Sequence, residues 1–448
     1  MNRFFQRVFF VIAIAWLLFA LLMANAARVQ NASLLQSKTL FVAIAGSLFF
    51  LFAAFKFKTE WKFRLFMLVF IVVALEAALQ ATTWLGLLPG INTKRRCPYA
   101  RVYWTSEGHG NSIRNRYGWY YPTFDLAAPK RIAAIGDSMV EAVEVDRTRN
   151  HAYLLQQLLQ QNSPDWAVLG MGTHGTAPSY HLDVLEYAQR HFKPQEAIIY
   201  ISLGANIRET SLALNRVTNE YIYYDLDAQN HLVLNPISVN HRAGFIKNLE
   251  LSHQPFIYCL PMLFTSHCMT LQSVLSVRDA LGRRRELAAR VAAEAAAAAD
   301  PTKRGLAELG LNPAPFAVNP SDDVKLAKAV LQAELLRCKE ICDGYGIRLR
   351  LVTVPAFPPA FYETQKTRDW TMKIGDYDYL QPERELIAFA KEKNIELLPL
   401  GNYIQSKKMS PEEIRGLYFS NGTGHFTEQG HRLVAQAVYE AFYQTKHL

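Results

Sequence analysis

Three apolar, strand-forming runs each end in a short glycine-bearing turn and are each followed by a helical pattern. Residues 132–135 lead into Gly136-Asp137-Ser138, residues 166–169 into Gly170-Met171-Gly172, and residues 197–203 into Gly204-Ala205-Asn206. Further strand patterns fall at 348–354 and 395–398, and helical patterns at 149–161, 179–191, 324–345, 382–393 and 427–443. Strands alternating with helices predict an α/β domain with a parallel sheet and right-handed crossovers. In such a sheet the carboxyl ends of neighbouring strands open on one crevice. Ser138, Gly172 and Asn206, dozens of positions apart, are therefore predicted to meet in space, and His425 stands just before the last helix.

Those residue types suit ester cleavage. A serine hydroxyl is a weak nucleophile until a neighbouring base takes its proton, and histidine titrates near neutral pH. The tetrahedral intermediate carries an anionic oxygen that needs fixed donors, each worth about 3 kcal/mol. Gly172 lets backbone approach closely, and Asn206 offers an uncharged N–H₂ donor. Taken singly, each motif has a plainer use: a strand-to-helix turn, a phosphate-cradling loop, a helix cap or a loop histidine. Gly-Met-Gly-Thr-His-Gly lacks both the G-x-G-x-x-G spacing and a P-loop lysine.

The set Ser138, Gly172, Asn206 and His425 resembles the SGNH/GDSL hydrolase family over roughly residues 120–207 and 345–445. The resemblance implies a three-layer, flavodoxin-like parallel sheet. It implies Ser138 as nucleophile, His425 as general base, and an oxyanion hole made of the Ser138 and Gly172 N–H groups and the Asn206 amide, with no cofactor or metal. The family usually places an acid three residues before the histidine, and Asp137 there helps hold the serine loop. Here position 422 is Gly. Asn421 is the nearest residue that could orient the imidazole, a backbone carbonyl being the alternative, and a Ser–His dyad is the expectation. Position 170 is Gly where the family often has Asn, and Ile207 follows Asn206 where Asp often does. His174 is expected to line the cleft and His431 to lie on the surface of the final helix.

At 448 residues the chain has room for two or three units. The net charge of +9 comes from scattered basic residues that flank apolar segments, not from a basic stripe interleaved with aromatics. Nucleic acid is thereby excluded as a partner, and a membrane surface accounts for the charge. The five cysteines, Cys97, Cys259, Cys268, Cys338 and Cys342, form no C-x-x-C pair and no zinc spacing. They read as small buried hydrophobes, with a Cys259–Cys268 bridge as the alternative.

Residues 1–91 hold three apolar stretches, 8–26, 39–55 and 65–88, and about 20 helical residues cross a bilayer. The first also fits a signal peptide, with Arg3 and Arg7 ahead of it and Ala24-Asn25-Ala26 at its end. Lys56, Lys58, Lys62 and Arg64 place the loop before the third stretch in the cytoplasm. The large C-terminal domain then lies in the periplasm or outside the cell, whether the first stretch is cut or kept. Lys94, Arg95, Arg96 and Arg101 oppose that orientation. Glu76 and Gln80, one turn apart within the third stretch, are expected to face another helix or an integral-membrane partner.

Residues 92–130 read as a connector, 131–207 and 324–448 as the α/β domain, and 208–323 as an insertion. The insertion opens with a predicted hairpin, 221–224 and 231–234, followed by an apolar aromatic stretch at 256–263 and an Ala-rich helix at 283–299. It could cap the cleft, dock on the membrane or hold a partner. The expected function is a membrane-anchored, extracytoplasmic esterase or O-acyltransferase acting on acyl esters of envelope glycans or lipids. The alternative is a non-catalytic glycan-binding or scaffold component of a polysaccharide-modifying assembly, motivated by the missing acid before His425.

Overall fold

A computed structural model describes residues 2–14, 48–84, 96–105, 107–215, 221–273, 314–355, 378, 380–419 and 424–444. The chain divides into two compact units, one of residues 1–88 with 253–278 and one of residues 89–252 with 279–448. The strands of the second unit, in chain order, are β1 (Arg101–Trp104), β2 (Gly110–Ile113), β3 (Lys130–Gly136), β4 (Trp166–Gly172), β5 (Glu196–Ser202), β6 (Tyr224–Leu226), β7 (Leu232–Leu234), β8 (Arg348–Val354) and β9 (Glu396–Pro399).

Five of these form a parallel sheet in the order β4-β3-β5-β8-β9. Read by position within the sheet, this is the 2-1-3-4-5 order of a doubly wound fold. Its topological switch point lies at β3, between β4 and β5. Residues 132–135 of β3, 167–169 of β4 and 197–201 of β5 are shut off from solvent, as an apolar run covered on both faces should be. Helices Pro178–Phe192 and Asp322–Tyr345 pack together on one side of the sheet, and His151–Gln160 and Glu428–Phe442 on the other. The 24-residue helix Asp322–Tyr345 buries Val324, Ala327, Leu331, Leu335, Cys338 and Cys342, a three-and-four spacing that makes one apolar stripe. Ser321 caps its start and Gly346, at φ +67°, ends it.

Two expectations shift. The connector contains an antiparallel hairpin, β1 with β2. The second hairpin is real but displaced along its first strand: Tyr224 pairs with Leu234 and Leu226 with Leu232. The Asp227 carboxylate accepts N–H bonds from Gln229 and His231 and so sets the turn. Tyr223, just ahead, spends its N–H on Ser238 Oγ and its carbonyl on Asn235. All five cysteines are free thiols, four buried and Cys268 half-buried. The helix expected at 283–299 lies outside the described residues.

In the first unit, the third apolar stretch is a helix, Thr59–Trp84, that begins earlier than expected. Among the described residues, only Thr59–Thr83 is long and apolar enough to cross a membrane. Residues 2–14 and 48–56 are also helical. Phe5 and Phe9 bury themselves with Ala53 and Ala54, with Leu65 and Phe66 alongside. Lys62 Nζ donates to Asn2 Oδ1 at 2.9 Å, which sets the amino terminus beside the basic loop. Gln80 Nε2 donates to Glu76 Oε1 at 2.7 Å, so the two share a helix face as expected.

Candidate active site

β3 delivers its chain to Asp137, whose carboxylate accepts the Met139 N–H at 2.9 Å and starts the short helix Ser138–Glu141. Ser138 is the first residue of that helix, at the mouth of the switch point. β4 ends directly against it. A Cβ on Gly172 would stand 1.9 Å from the Glu141 nitrogen and 2.3 Å from the Val140 carbonyl carbon. Only glycine lets these two backbones meet, as the sequence predicted.

His425 comes from the loop ahead of helix Glu428–Phe442. Its carbonyl accepts the Phe419 N–H at 2.8 Å, and Tyr418 bridges Phe426. The ring is thereby turned so that Nε2 lies 2.8 Å from Ser138 Oγ. Nδ1 lies 2.5 Å from Glu107 Oε2 and 3.2 Å from Glu144 Oε1. Serine, imidazole and carboxylate thus stand in a line, within hydrogen-bond reach at each step.

Glu107 sits between β1 and β2, in the segment read as a mere connector. The hairpin tip is seated tightly. His109 N–H donates to the Glu144 carbonyl at 2.9 Å, and Gly108 adopts φ +63° where a Cβ would lie 2.3 Å from that same oxygen. Tyr120 holds the segment from the other side through its hydroxyl, 3.0 Å from the Val145 carbonyl. Sequence reasoning missed Glu107 because it looked for an acid near the histidine. The only local signal was a carboxylate beside glycine between two short strand patterns. Asn421 lies outside the described residues.

The electrostatics follow from this grouping. Burial pushes His425 down, but the Glu107 hydrogen bond and the charges of Glu144, Glu107 and Asp137 outweigh it and lift the imidazole to about 9. Glu144, almost fully buried, is raised to about 7 by desolvation, against the pull of His425. Burial also raises Asp137. The arrangement favours an imidazolium flanked by carboxylates over a neutral ring.

Asn206 is the fourth residue of helix Leu203–Glu209, which follows β5, and is completely buried. Its Oδ1 accepts the Ser202 N–H at 2.8 Å, and its Nδ2 lies 3.4 Å from Asp137 Oδ2. The predicted amide therefore stands beside the turn that carries Ser138. Glu209, nearby, is raised to about 7 by burial and by the Asp137 charge.

The loop after Gly172 has its own clamp. Glu141 accepts from His174 N–H at 2.8 Å, from His174 Nδ1 at 2.5 Å and from Arg114 at 2.9 Å, with Glu141 and Arg114 both buried. Arg96, stacked 3.3 Å over the Trp119 ring, hydrogen-bonds Thr173 Oγ1. His174 is thus tied down beside the cleft. His431, expected on a surface, is buried instead. The apolar face of helix Glu428–Phe442 turns it inward, where its Nδ1 lies 3.0 Å from His151 Nδ1 and the rings stack. Burial lowers both imidazoles, His151 to about 3.

Glu107, Glu144 and His425 offer ligand atoms within 4.8 Å of one another, close enough for a cation. That use would take Nδ1 away from Glu107, whereas the hydrogen-bond line to Ser138 accounts for Glu107 and His425, with Glu144 Oε1 facing the same nitrogen.

No family model matches this sequence, and no curated protein matches it. Among solved structures, TesA is 12% identical, with 70% of this chain and 98% of that chain covered at a TM-score of 0.32. A member of the lipolytic protein G-D-S-L family from Veillonella parvula is 10% identical, covering 70% and 99%, at 0.31. The acetyl xylan esterase AlAXEase is 14% identical, covering 70% and 99%, at 0.32. Likeness at that level carries nothing by itself about what this chain does.

Proposed function

We propose that this protein is a membrane-anchored serine ester hydrolase of the SGNH/GDSL kind, working through a Ser138–His425–Glu107 triad. One observation carries the reading: His425 Nε2 stands 2.8 Å from Ser138 Oγ while Nδ1 stands 2.5 Å from the Glu107 carboxylate. In the neutral ring, Nδ1 bonded to a carboxylate holds its proton, which leaves Nε2 with a lone pair for the serine proton.

Ser138 Oγ bonds to the ester carbonyl carbon as its proton passes to His425 Nε2. The carbonyl oxygen becomes an oxyanion, held by the Ser138 and Gly172 N–H groups and the Asn206 amide, each donor worth about 3 kcal/mol. Thr173 spends its N–H on the Gly136 carbonyl of β3, so the neighbouring Gly172 N–H faces the other way, from an edge strand of the sheet. Collapse breaks the carbon–alkoxy bond, and His425 returns its proton to the leaving alcohol. An acceptor hydroxyl then repeats the cycle on the acyl-serine. Water yields the free acid, and a sugar hydroxyl yields a new ester.

The anchor is helix Thr59–Trp84. The Asn2–Lys62 hydrogen bond supports a reading in which Arg3, Arg7, Lys56, Lys58, Lys62 and Arg64 share one membrane face, which the charge rule reads as cytoplasmic. Residues beyond Trp84 then face the periplasm or the cell exterior, where acyl esters of envelope glycans and lipids are the substrates within reach. Glu107 supplies the acid whose absence motivated a non-catalytic scaffold.

The test uses p-nitrophenyl acetate and a fluorophosphonate probe on the whole protein in detergent. Turnover and covalent labelling are expected for wild type and lost in Ser138→Ala. Equal rates and equal labelling in the two proteins would overturn the assignment of Ser138.

A further inference from the structure

We infer that residues 256–273 of the insertion form a second membrane-embedded element, a helix–break–helix segment pinned by Glu76 at hydrocarbon depth, with lipid acyl chains against its outer face. This rests on the reading that Thr59–Trp84 spans a bilayer. Residues 253–278 group with the membrane helices, not with the α/β unit. Residues 251–277 hold no Asp, Glu, Lys or Arg.

The segment runs through Phe256–Cys259 and Leu260–His267, breaks at Cys268, and resumes as helix at Met269. Cys268 is extended, at φ −89° and ψ 102°. Such a break frees the first N–H groups of the following helix and the last carbonyls of the preceding one. In hydrocarbon no water is present to take them, so partners must come from protein. Four of the freed groups find side-chain partners within the unit. Glu76 accepts the Met269 N–H at 2.8 Å, the Thr270 N–H at 2.7 Å and the Thr270 hydroxyl at 2.8 Å. Gln80 donates to the His267 carbonyl at 2.6 Å, and Gln272 to the Thr265 carbonyl at 2.6 Å. The Thr265 and Ser266 hydroxyls turn back onto the carbonyls of Met262 and Leu263. A carboxylate at a helix amino terminus also meets the positive end of the helix dipole.

Depth follows from the anchor helix. Its 26 residues extend about 39 Å, against a hydrocarbon core of about 30 Å. Glu76 lies eight residues, about 12 Å, short of Trp84, and therefore inside the core. Whatever bonds Glu76 shares that depth. The preceding helix, Leu260–His267, has 8 residues and also extends about 12 Å, enough to carry the chain down to the break. Phe264 is 64% exposed and Phe256 51% exposed. On a segment held at that level, those faces meet lipid. The glutamate in the middle of an apolar helix is thus explained as the cap of a broken neighbour.

The experiment places the photoreactive residue p-benzoylphenylalanine at Phe264, at Leu68 on the anchor helix and at Val233 on β7, in the full chain in phospholipid vesicles. Phospholipid adducts at Phe264 and Leu68, with none at Val233, are the expected result. Adducts at Leu68 without any at Phe264 would overturn the inference and leave the anchor standing. No adducts at either would remove the anchor and the inference with it. Glu76→Ala should cut the Phe264 yield several-fold while the Leu68 yield holds. An unchanged Phe264 yield would show that Glu76 does not pin the segment.

Discussion

Glu107→Gln keeps the side chain's shape and removes its charge, so it isolates what the carboxylate does for His425. The imidazole is lifted from its ordinary 6.5 to about 9, with the Glu107 hydrogen bond the largest upward contribution and Glu144 next. That span corresponds to roughly 3 kcal/mol of preference for the imidazolium. The same preference stabilises the charge that His425 acquires when it takes the Ser138 proton. Below its own pKa the ring is already protonated and cannot act as base, so kcat/KM in wild type should climb as pH rises toward about 9. In Glu107→Gln the acid limb should move down toward 6.5. The plateau should fall by about 10²–10⁴-fold, because an amide at Nδ1 permits the tautomer whose Nε2 holds the proton. Glu144→Gln, at 3.2 Å from Nδ1, should shift the limb less. The assay is a pH–rate profile of p-nitrophenyl acetate hydrolysis with the uncatalysed rate subtracted. An unchanged limb and plateau in Glu107→Gln would refute the triad. A loss of about tenfold or more in Asn421→Ala beside it would return the orienting role to the loop before His425.

Stability should run against activity. A histidine raised in the fold contributes fully below its unfolded value of about 6.5 and loses that contribution as pH rises through about 9. Denaturant unfolding in detergent should show a decline of at most about 3 kcal/mol across that window, absent in His425→Ala. Glu141→Gln deprives buried Arg114 of its counter-charge and should destabilise by about 3–5 kcal/mol. A loss under about 1 kcal/mol would mean that the clamp on His174 is not structural. Gly172→Ala forces the helix carrying Ser138 away from β4. It should lower kcat by about 10²-fold with only about 1–3 kcal/mol of stability lost, and a wild-type rate would refute the close approach.

Much of this was legible before any coordinates, because the informative signals were local. Apolar runs at 132–135, 166–169 and 197–203 ending in glycine-bearing turns announce parallel strands, and the three turns at their ends mark the switch point. Gly172 declared itself as a glycine because only backbone fits beside Glu141. What escaped was non-local. Glu107 is 318 positions from His425, and no spacing rule reaches that far. His431 looked like a surface residue because its neighbours are Gly430 and Arg432, yet the helix phase turns it onto His151. Glu76 announced an intramembrane partner without saying which, and one candidate, residues 267–270, stands nearly 200 positions away in the same chain.

Because the proposed base follows the proposed nucleophile by 287 positions, a growing chain would emerge with the site incomplete. At about 5–20 residues per second, roughly 15–60 s separate synthesis of Ser138 from synthesis of His425. Through that interval the proposed nucleophile lacks its proton acceptor. On the proposed reading, competence arrives only when the far end of the polypeptide folds back onto the early hairpin.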